Sequence, residues 1–130
     1  MKLPKILSTL VLAAMIPLAA CAQTSQPPAG AIINIVELDI DAAKLVDFKA
    51  ALIEEMDDSV QKEPGVHAIY AVSRKDDPSK FMFVEIYANQ QAMETHRSTP
   101  HFRKFLDTTK DMIRARRILE NNVVHLTSKP

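Results

Sequence analysis

The segment from Glu85 to Phe105 reads EIYANQQAMETHRSTPHFRKF, and the rest of the chain can be interpreted outward from it. It predicts the end of a strand, a short helical turn and then a second helix that opens at Pro100. Thr99 is suited to cap that helix with its hydroxyl, and a proline suits the first turn because no amide donor is needed there. His96 and His101 flank this junction. Titratable groups that converge on a strand-to-helix corner are typical of a small active site, although capping and core packing would produce the same layout.

Outside this segment the chain alternates between strand and helix patterns. Runs of β-branched residues indicate strands, apolar residues at helical spacing indicate helices, and Gly, Pro, Asp and Ser mark turns. The predicted elements are a strand at Ala31–Ile40, a helix from Asp41 that ends before Pro64, strands at Val66–Arg74 and Lys80–Ala88, a helical turn at Gln90–Thr95, a helix at Pro100–Arg114, and a strand at Ile118–Thr127 with a bulge or kink at Asn121-Asn122. This order predicts an α+β, ferredoxin-like split βαβ fold with a four-stranded antiparallel sheet.

The first strand is apolar on both faces. Ile33 and Ile35 lie opposite the face that carries Val36 and its apolar neighbours. Helices on one side of the sheet would leave Ile33 and Ile35 uncovered, so a homodimer that pairs two sheets is predicted. Asn34 is a polar residue on an apolar face. A backbone partner is the usual explanation for such a residue, and contact with a ligand is the alternative.

The third strand has an uneven pattern. Phe81, Phe83, Glu85 and Tyr87 share one face. A carboxylate among aromatic side chains indicates that Glu85 faces something other than bulk water.

The long helix that starts at Asp41 shows an apolar stripe. Its members are Leu45, Phe48, Leu52, Met56 and Val60. Glu54 and Glu55 are interpreted as solvated charges rather than as ligands. Because His67 and His125 lie on strands, and the four histidines are scattered without clustered acids, no metal site is predicted.

Three arginines, Arg114, Arg116 and Arg117, fall near the predicted end of the last helix. There they would interact favourably with the helix dipole, an interpretation preferred to phosphate binding. The whole chain carries 16 basic and 16 acidic side chains. This balance gives no basic footprint, so nucleic acid is not an expected partner.

The N-terminus has the features of a secretory signal peptide over residues 1–20. Lys2 and Lys5 precede an apolar run that ends in Leu18-Ala19-Ala20-Cys21. This ending resembles a bacterial lipobox, which predicts lipidation of Cys21, a flexible tether over residues 21–30 and a domain over 31–127. Ala22 after the cysteine favours the outer membrane, with the domain on the periplasmic side. The alternative is an ordinary signal peptide that leaves a free thiol.

A family resemblance lies in the residues around this junction. Glu63-Pro64-Gly65, Asp77-Pro78, Phe81, Glu85 and Tyr87 precede the run His96-Arg97-Ser98-Thr99-Pro100-His101-Phe102. Together these residues resemble the antibiotic biosynthesis monooxygenase family, which includes small bacterial quinol monooxygenases. The resemblance covers roughly Ala31 to Thr127.

The resemblance implies a dimeric α+β barrel that needs neither a metal nor another cofactor. In such enzymes an aromatic quinol loses a proton, and its electron-rich anion reacts directly with dioxygen. It implies that His96 is the base and that Glu85 either orients His96 or takes the proton. The residues implied to contact the substrate are Asn34, Phe83, Tyr87 and His101, with Tyr87 or Asn34 as the donor to the oxyanion.

Other readings of these residues remain open. His101 is interpreted preferentially as a capping or packing residue. Haem-degrading relatives depend on a Trp, and this chain has none, so haem breakdown is not expected. Because a fold can be inherited without its activity, the alternative function is a non-catalytic dimeric module that binds a small aromatic or lipid-like ligand.

Overall fold

The computed structural model describes residues 30–119 and 121–127. The predicted signal peptide, the lipidation site at Cys21 and all of the tether except Gly30 lie outside the described residues. None of the helices in the described part of the chain combines the length and apolar character needed to cross a bilayer.

The described residues form one four-stranded sheet and three α-helices. The elements in chain order are β1 (Ile32–Ile40), a 3₁₀ helix (Ala42–Lys44), α1 (Leu45–Lys62), β2 (Val66–Ser73), β3 (Lys80–Tyr87), α2 (Gln90–Ser98), α3 (Pro100–Thr109) and β4 (Ile113–Leu119). The strand order is β2-β3-β1-β4, and every neighbouring pair is antiparallel. The predicted ferredoxin-like α+β fold is confirmed.

The inner face of the sheet packs against α1 and α3. The buried side chains of this core are Val36, Leu38, Ile40, Phe48, Leu52, Phe81, Phe83 and Phe105. They follow the predicted alternation, because every second residue of β1 and β3 points to the same side.

The buried stripe of α1 differs from the predicted one after its second turn. Phe48 and Leu52 are buried as expected, but the stripe continues through Glu55 and Ser59. Val60, which was predicted to be buried, is exposed. The prediction that Glu55 is a solvated charge is wrong, because this side chain faces α2 rather than water.

Helix α3 ends earlier than the predicted Arg114. The helix stops at Thr109, and the backbone N–H of Met112 donates to the Thr109 carbonyl in a turn that leads into β4. The predicted bulge at Asn121-Asn122 is also wrong, because these residues follow the last strand.

The arginines therefore lie on a strand and not at a helix end. Arg114 pairs with Asp41 at 3.1 Å, and the Arg117 Nε donates to Glu37 at 2.8 Å across the β1–β4 ladder. The dipole interpretation of this cluster is wrong, since β4 offers no such dipole.

The junction between α2 and α3 consists of Thr99 alone. Its hydroxyl donates to the His96 carbonyl at 2.8 Å and accepts from the Phe102 N–H at 3.3 Å. The Thr99 side chain thus satisfies a backbone carbonyl at the end of α2 and caps the start of α3. The predicted capping role of Thr99 is confirmed. Helix α2 is longer than the single turn that was expected.

The loop between α1 and β2 approaches α2 closely at Gly65. A Cβ at this position would lie 2.5 Å from the Ala92 Cβ. Only a glycine lets α2 pack here, and α2 carries His96.

The outer face of the sheet, opposite the helices, exposes apolar side chains. Tyr70 and Val72 on β2 are each 60% exposed, and Met82 on β3 is 40% exposed. Val72 and Met82 are cross-strand partners, so these side chains form a continuous apolar patch rather than scattered contacts.

Candidate active site

A cavity of about 50 Å³ lies between the inner face of the sheet and the helices. A water molecule needs at least roughly 10–15 Å³ of such space, so the cavity has room for a few waters. Its apolar walls include Phe83, Phe102 and Phe105. An apolar enclosure with a few polar groups is the usual form of a small-molecule site.

The sheet contributes a polar group of three side chains to this cavity. Asn34 on β1 is the cross-strand partner of Glu85 on β3, and its Nδ2 donates to Glu85 Oε2 at 2.7 Å. Tyr87, two residues further on the same face, donates its hydroxyl to the same oxygen at 3.0 Å. Glu85 therefore faces protein donors rather than bulk water, as its aromatic neighbours indicated.

Tyr87 is held as a neutral phenol. It is almost fully buried. Burial, together with the neighbouring Glu85 carboxylate, raises the pKa of Tyr87 far above its ordinary value of 10.0. Its hydroxyl acts as a donor and not as a base.

The helices contribute His96, which is only 2% exposed. Its Nδ1 lies 2.9 Å from Oε1 of Glu63, the C-cap residue of α1. With Glu63 ionised, this contact assigns the proton to Nδ1 and leaves the lone pair on Nε2. The imidazole thus has the orientation and tautomer of a general base.

A second carboxyl group approaches the other nitrogen of the same ring. Glu55 Oε1 lies 3.6 Å from His96 Nε2, beyond hydrogen-bond distance, and accepts from the Ser59 hydroxyl at 2.7 Å. Burial raises the pKa of the Glu55 carboxyl, although the Ser59 hydrogen bond opposes this shift. Sequence reasoning missed both Glu55 and Glu63.

His101 lies on the other side of Glu63. Its Nε2 is 2.6 Å from Glu63 Oε1, so one carboxylate oxygen is shared by two imidazole rings. His101 does not line the cavity but the wall of an open groove of about 780 Å³. It is not the cap of α3 either, since Thr99 has that role.

The structure thus brings five of the six predicted site residues to one cavity. They are Asn34, Phe83, Glu85, Tyr87 and His96. Glu85 does not orient His96, because its carboxylate bonds Asn34 and Tyr87 and the orienting carboxylate is Glu63. The other role expected for Glu85, taking the substrate proton, stays a prediction.

Two cations also line the cavity, Arg97 from α2 and Arg116 from β4. Sequence reasoning had assigned Arg116 to a helix end and had given Arg97 no role. Guanidinium groups at the cavity wall would favour an anion inside it.

The fold also gathers residues that could hold a metal ion. One ligand atom from each of Glu55, His96 and His101 lies within 4.8 Å of the others. The expectation of no metal site was based on scattered histidines, and tertiary folding removes that argument by placing two of them beside a buried carboxyl group.

Comparison with known proteins places this geometry in a family. The model of the antibiotic biosynthesis monooxygenase family matches residues 31–108, and no curated protein matches the chain. A solved structure from Bacteroides thetaiotaomicron, assigned to the antibiotic biosynthesis monooxygenases, is 32% identical with a TM-score of 0.74. The match covers 77% of this chain and 97% of that one.

Two more distant structures, from Nitrosomonas europaea and Caulobacter crescentus, carry the same family assignment. They are 24% and 21% identical, with TM-scores of 0.67 and 0.70. The matches cover 72% and 74% of this chain, and 98% and 92% of theirs. At this identity they support the fold alone. The family match and the 32% identical structure show that this chain belongs to the antibiotic biosynthesis monooxygenase family and support a general monooxygenase-like role.

Proposed function

We propose that this protein is a cofactor-independent monooxygenase that oxidises a small aromatic quinol with dioxygen. The observation that carries the proposal is the His96 ring at the wall of an apolar cavity, with Nδ1 held by Glu63 and Nε2 left with its lone pair. A base, an apolar enclosure and a site for an oxyanion are the requirements of this chemistry. Membership of the monooxygenase family supports the same reaction class.

The reaction needs no external reductant. A substrate hydroxyl gives its proton to His96 Nε2, and the electron-rich anion transfers electrons to dioxygen. One oxygen atom enters the ring as a carbonyl and the other leaves as water. The substrate supplies all four electrons and becomes a quinone.

Each cavity residue has a distinct part in this scheme. Glu63 stabilises the imidazolium that forms when His96 takes the proton. Asn34 keeps a second amide hydrogen after its bond to Glu85, and this N–H is the donor for the substrate oxyanion. Tyr87 has only one hydroxyl hydrogen, which Glu85 already accepts. Phe83 supplies an apolar wall for the ring.

Oxygen uptake over a panel of reduced quinols tests the proposal. General-base catalysis contributes about 10² to 10⁴ in rate, so His96→Ala should lose activity of that order while staying folded. His67→Ala is the matched control, because His67 is an exposed histidine of β2. If His96→Ala consumes oxygen as fast as the unmodified protein, the base assignment is wrong. If no quinol supports uptake but a small aromatic compound still raises the melting temperature, the binding-module alternative is favoured.

We also propose that the protein is a homodimer, with the apolar outer face of the sheet as its interface. Apolar surface contributes roughly 25 cal/mol per Å² when it is removed from water. A second copy would cover the patch around Tyr70, Val72 and Met82 and close two sheets into an α+β barrel. Sedimentation at about the mass of one chain at micromolar concentration would contradict this proposal.

A lipid on Cys21 is proposed as the membrane anchor, supported by the lipobox-like ending Leu18-Ala19-Ala20-Cys21. Membrane fractionation tests it: the unmodified protein should sediment with outer membranes, and Cys21→Ser should not mature or should be released. Finding the unmodified protein wholly in the soluble periplasmic fraction would refute the anchor.

A further inference from the structure

Two histidines and two carboxyl groups meet where α1, α2 and α3 converge. His96, Glu55 and Glu63 are buried, and the His101 side chain is 14% exposed. Ligand atoms of Glu55, His96 and His101 lie within 4.8 Å of one another. Polar groups of this kind are expensive to bury, so their convergence requires an explanation.

The contact between Glu55 and His96 is unusual for a hydrogen bond. Glu55 Oε1 and His96 Nε2 are 3.6 Å apart, which is too long for a good bond. A tetrahedral zinc ion with bonds of about 2.0–2.1 Å holds its nitrogen and oxygen ligands roughly 3.3 Å apart. The observed separation is close to that of two ligands of one metal ion.

Glu63 supplies the second part of a metal centre. Its Oε1 accepts the Nδ1–H of His96 and also contacts Nε2 of His101. In metal sites, the ring nitrogen that does not bind the ion usually donates to a carboxylate, which fixes the tautomer and turns the lone pair toward the metal. Glu63 does this for His96, leaving Nε2 directed at Glu55.

The charges of the cluster point the same way. Within the described residues, Glu55 and Glu63 have no lysine or arginine partner, and their ionic contacts are only with imidazoles. Two buried carboxylates beside two neutral imidazoles would carry a net charge of about −2, which must be balanced by protons or by a cation.

A second cavity adjoins the cluster on the side away from the sheet. Glu55 and His101 both line a small cavity of about 60 Å³ that also includes Glu54 and Lys104, two residues that are exposed. His101 further borders the open groove. Two of the three candidate ligands, Glu55 and His101, thus border space outside the sheet-side cavity.

We infer that Glu55, His96 and His101 form a binding site for a divalent transition-metal ion of the zinc class, oriented by Glu63. Two imidazoles and one carboxylate with an open fourth position suit Zn²⁺, whereas Mg²⁺ and Ca²⁺ prefer all-oxygen sites. The ion is not a cofactor of the proposed reaction. Because it takes the Nε2 lone pair, it removes the base, so metal binding inhibits quinol oxidation; this consequence rests on the proposed function, whereas binding does not.

Equilibrium dialysis of the full chain against Zn²⁺, with Mg²⁺ in parallel, tests the site. One equivalent of Zn²⁺ per chain, no retained Mg²⁺ and a rise in melting temperature with Zn²⁺ are expected. Glu63→Gln should weaken binding about 10- to 100-fold, since it alters an outer-shell partner. His101→Gln and Glu55→Gln each remove a ligand and should weaken it more. His67→Gln, which alters an exposed histidine, is the matched control and should bind as the unmodified protein does.

Each outcome decides a different part of the inference. Zn²⁺ retention that His101→Gln and Glu55→Gln leave unchanged, with circular dichroism showing both variants folded, overturns the site. If the unmodified protein retains no Zn²⁺, the inference is also overturned, and protons then balance the charge of the two carboxyl groups. If quinols are oxidised, Zn²⁺ should abolish oxygen uptake in the unmodified protein but not in folded His101→Gln; activation by Zn²⁺ overturns the inhibitory role. If no quinol is oxidised, the dialysis result still stands by itself.

Discussion

The two sides of the sheet depart from the usual distribution of residues in opposite ways. Beneath the helices, Glu55, Glu63 and His96 are buried. On the outer face, Tyr70 and Val72 are largely exposed. Globular proteins usually place such groups the other way round.

The two regions differ in whether their unusual residues find partners within the described chain. Within the described residues, no fully buried side-chain nitrogen or oxygen lacks a hydrogen-bond partner, and in the polar cluster Glu63 holds both His96 and His101. Among the residues that the structure describes, nothing covers Tyr70 and Val72 of the outer patch. The buried polar residues therefore support the proposed active site, and the exposed apolar residues support the proposed dimer interface.

Removing the shared carboxylate should have the largest effect. Glu63→Ala leaves the N–H groups of His96 and His101 without their acceptor, and each unsatisfied buried donor costs about 1–3 kcal/mol. The free energy of unfolding in urea, at one fixed protein concentration, measures this loss. Glu94→Ala on the exposed side of α2 should stay within about 0.5 kcal/mol. Equal losses in both variants would mean that the cluster is not a coupled unit.

A charged side chain placed on the outer face of the sheet should have the second-largest effect. Met82→Glu would place a carboxylate in the predicted interface, where burial without a partner costs several kcal/mol. Since 1.4 kcal/mol is tenfold, the dimer dissociation constant should rise about 100-fold or more. Sedimentation equilibrium measures the change, with Ala50→Glu on the exposed side of α1 as the control. An unchanged dimer would place the interface elsewhere.

The smallest effect is expected at the ion pair between Asp41 and Arg114. The Ala43 N–H, followed by Arg114, lowers the pKa of Asp41 below its ordinary value of 3.8. A depressed pKa adds stability that is present above 3.8 and disappears as the pH falls through the folded-state value. Asp41→Asn should therefore flatten the acid side of the stability curve slightly, with Asp57→Asn at an exposed position of α1 measured in parallel. A curve that Asp41→Asn leaves unchanged would show that this pair adds nothing measurable.

The fold was largely predictable because its information is local. Alternation along β1 and β3 assigned each side chain to the correct face, and Thr99-Pro100 located the start of α3. The end of α3 was missed because no glycine or proline separates it from β4. The arginines of β4 also resemble a charged helix end, and only pairing with β1 identifies them as part of a strand.

About half of the site was predictable, because some of its residues stand out in their local sequence and others join it only through tertiary packing. The sequence singles out four polar residues that lie in apolar stretches or at the helix junction: Asn34, Glu85, Tyr87 and His96. Glu63 lies 33 positions before His96, and their contact depends on how α1 packs against α2. Glu55 carried a signal that was missed, since it follows Leu52 by three residues and shares its helical face.

The single-residue junction at Thr99 limits how the chain length can vary. Its hydroxyl ties the last turn of α2 to the first turn of α3, so little slack remains between His96 and His101. An α-helix turns about 100° per residue, and one inserted residue here would swing His101 away from Glu63. The exposed hairpin between β2 and β3 has no such constraint. Insertions and deletions should therefore be tolerated near Lys75 and should be disruptive between His96 and His101.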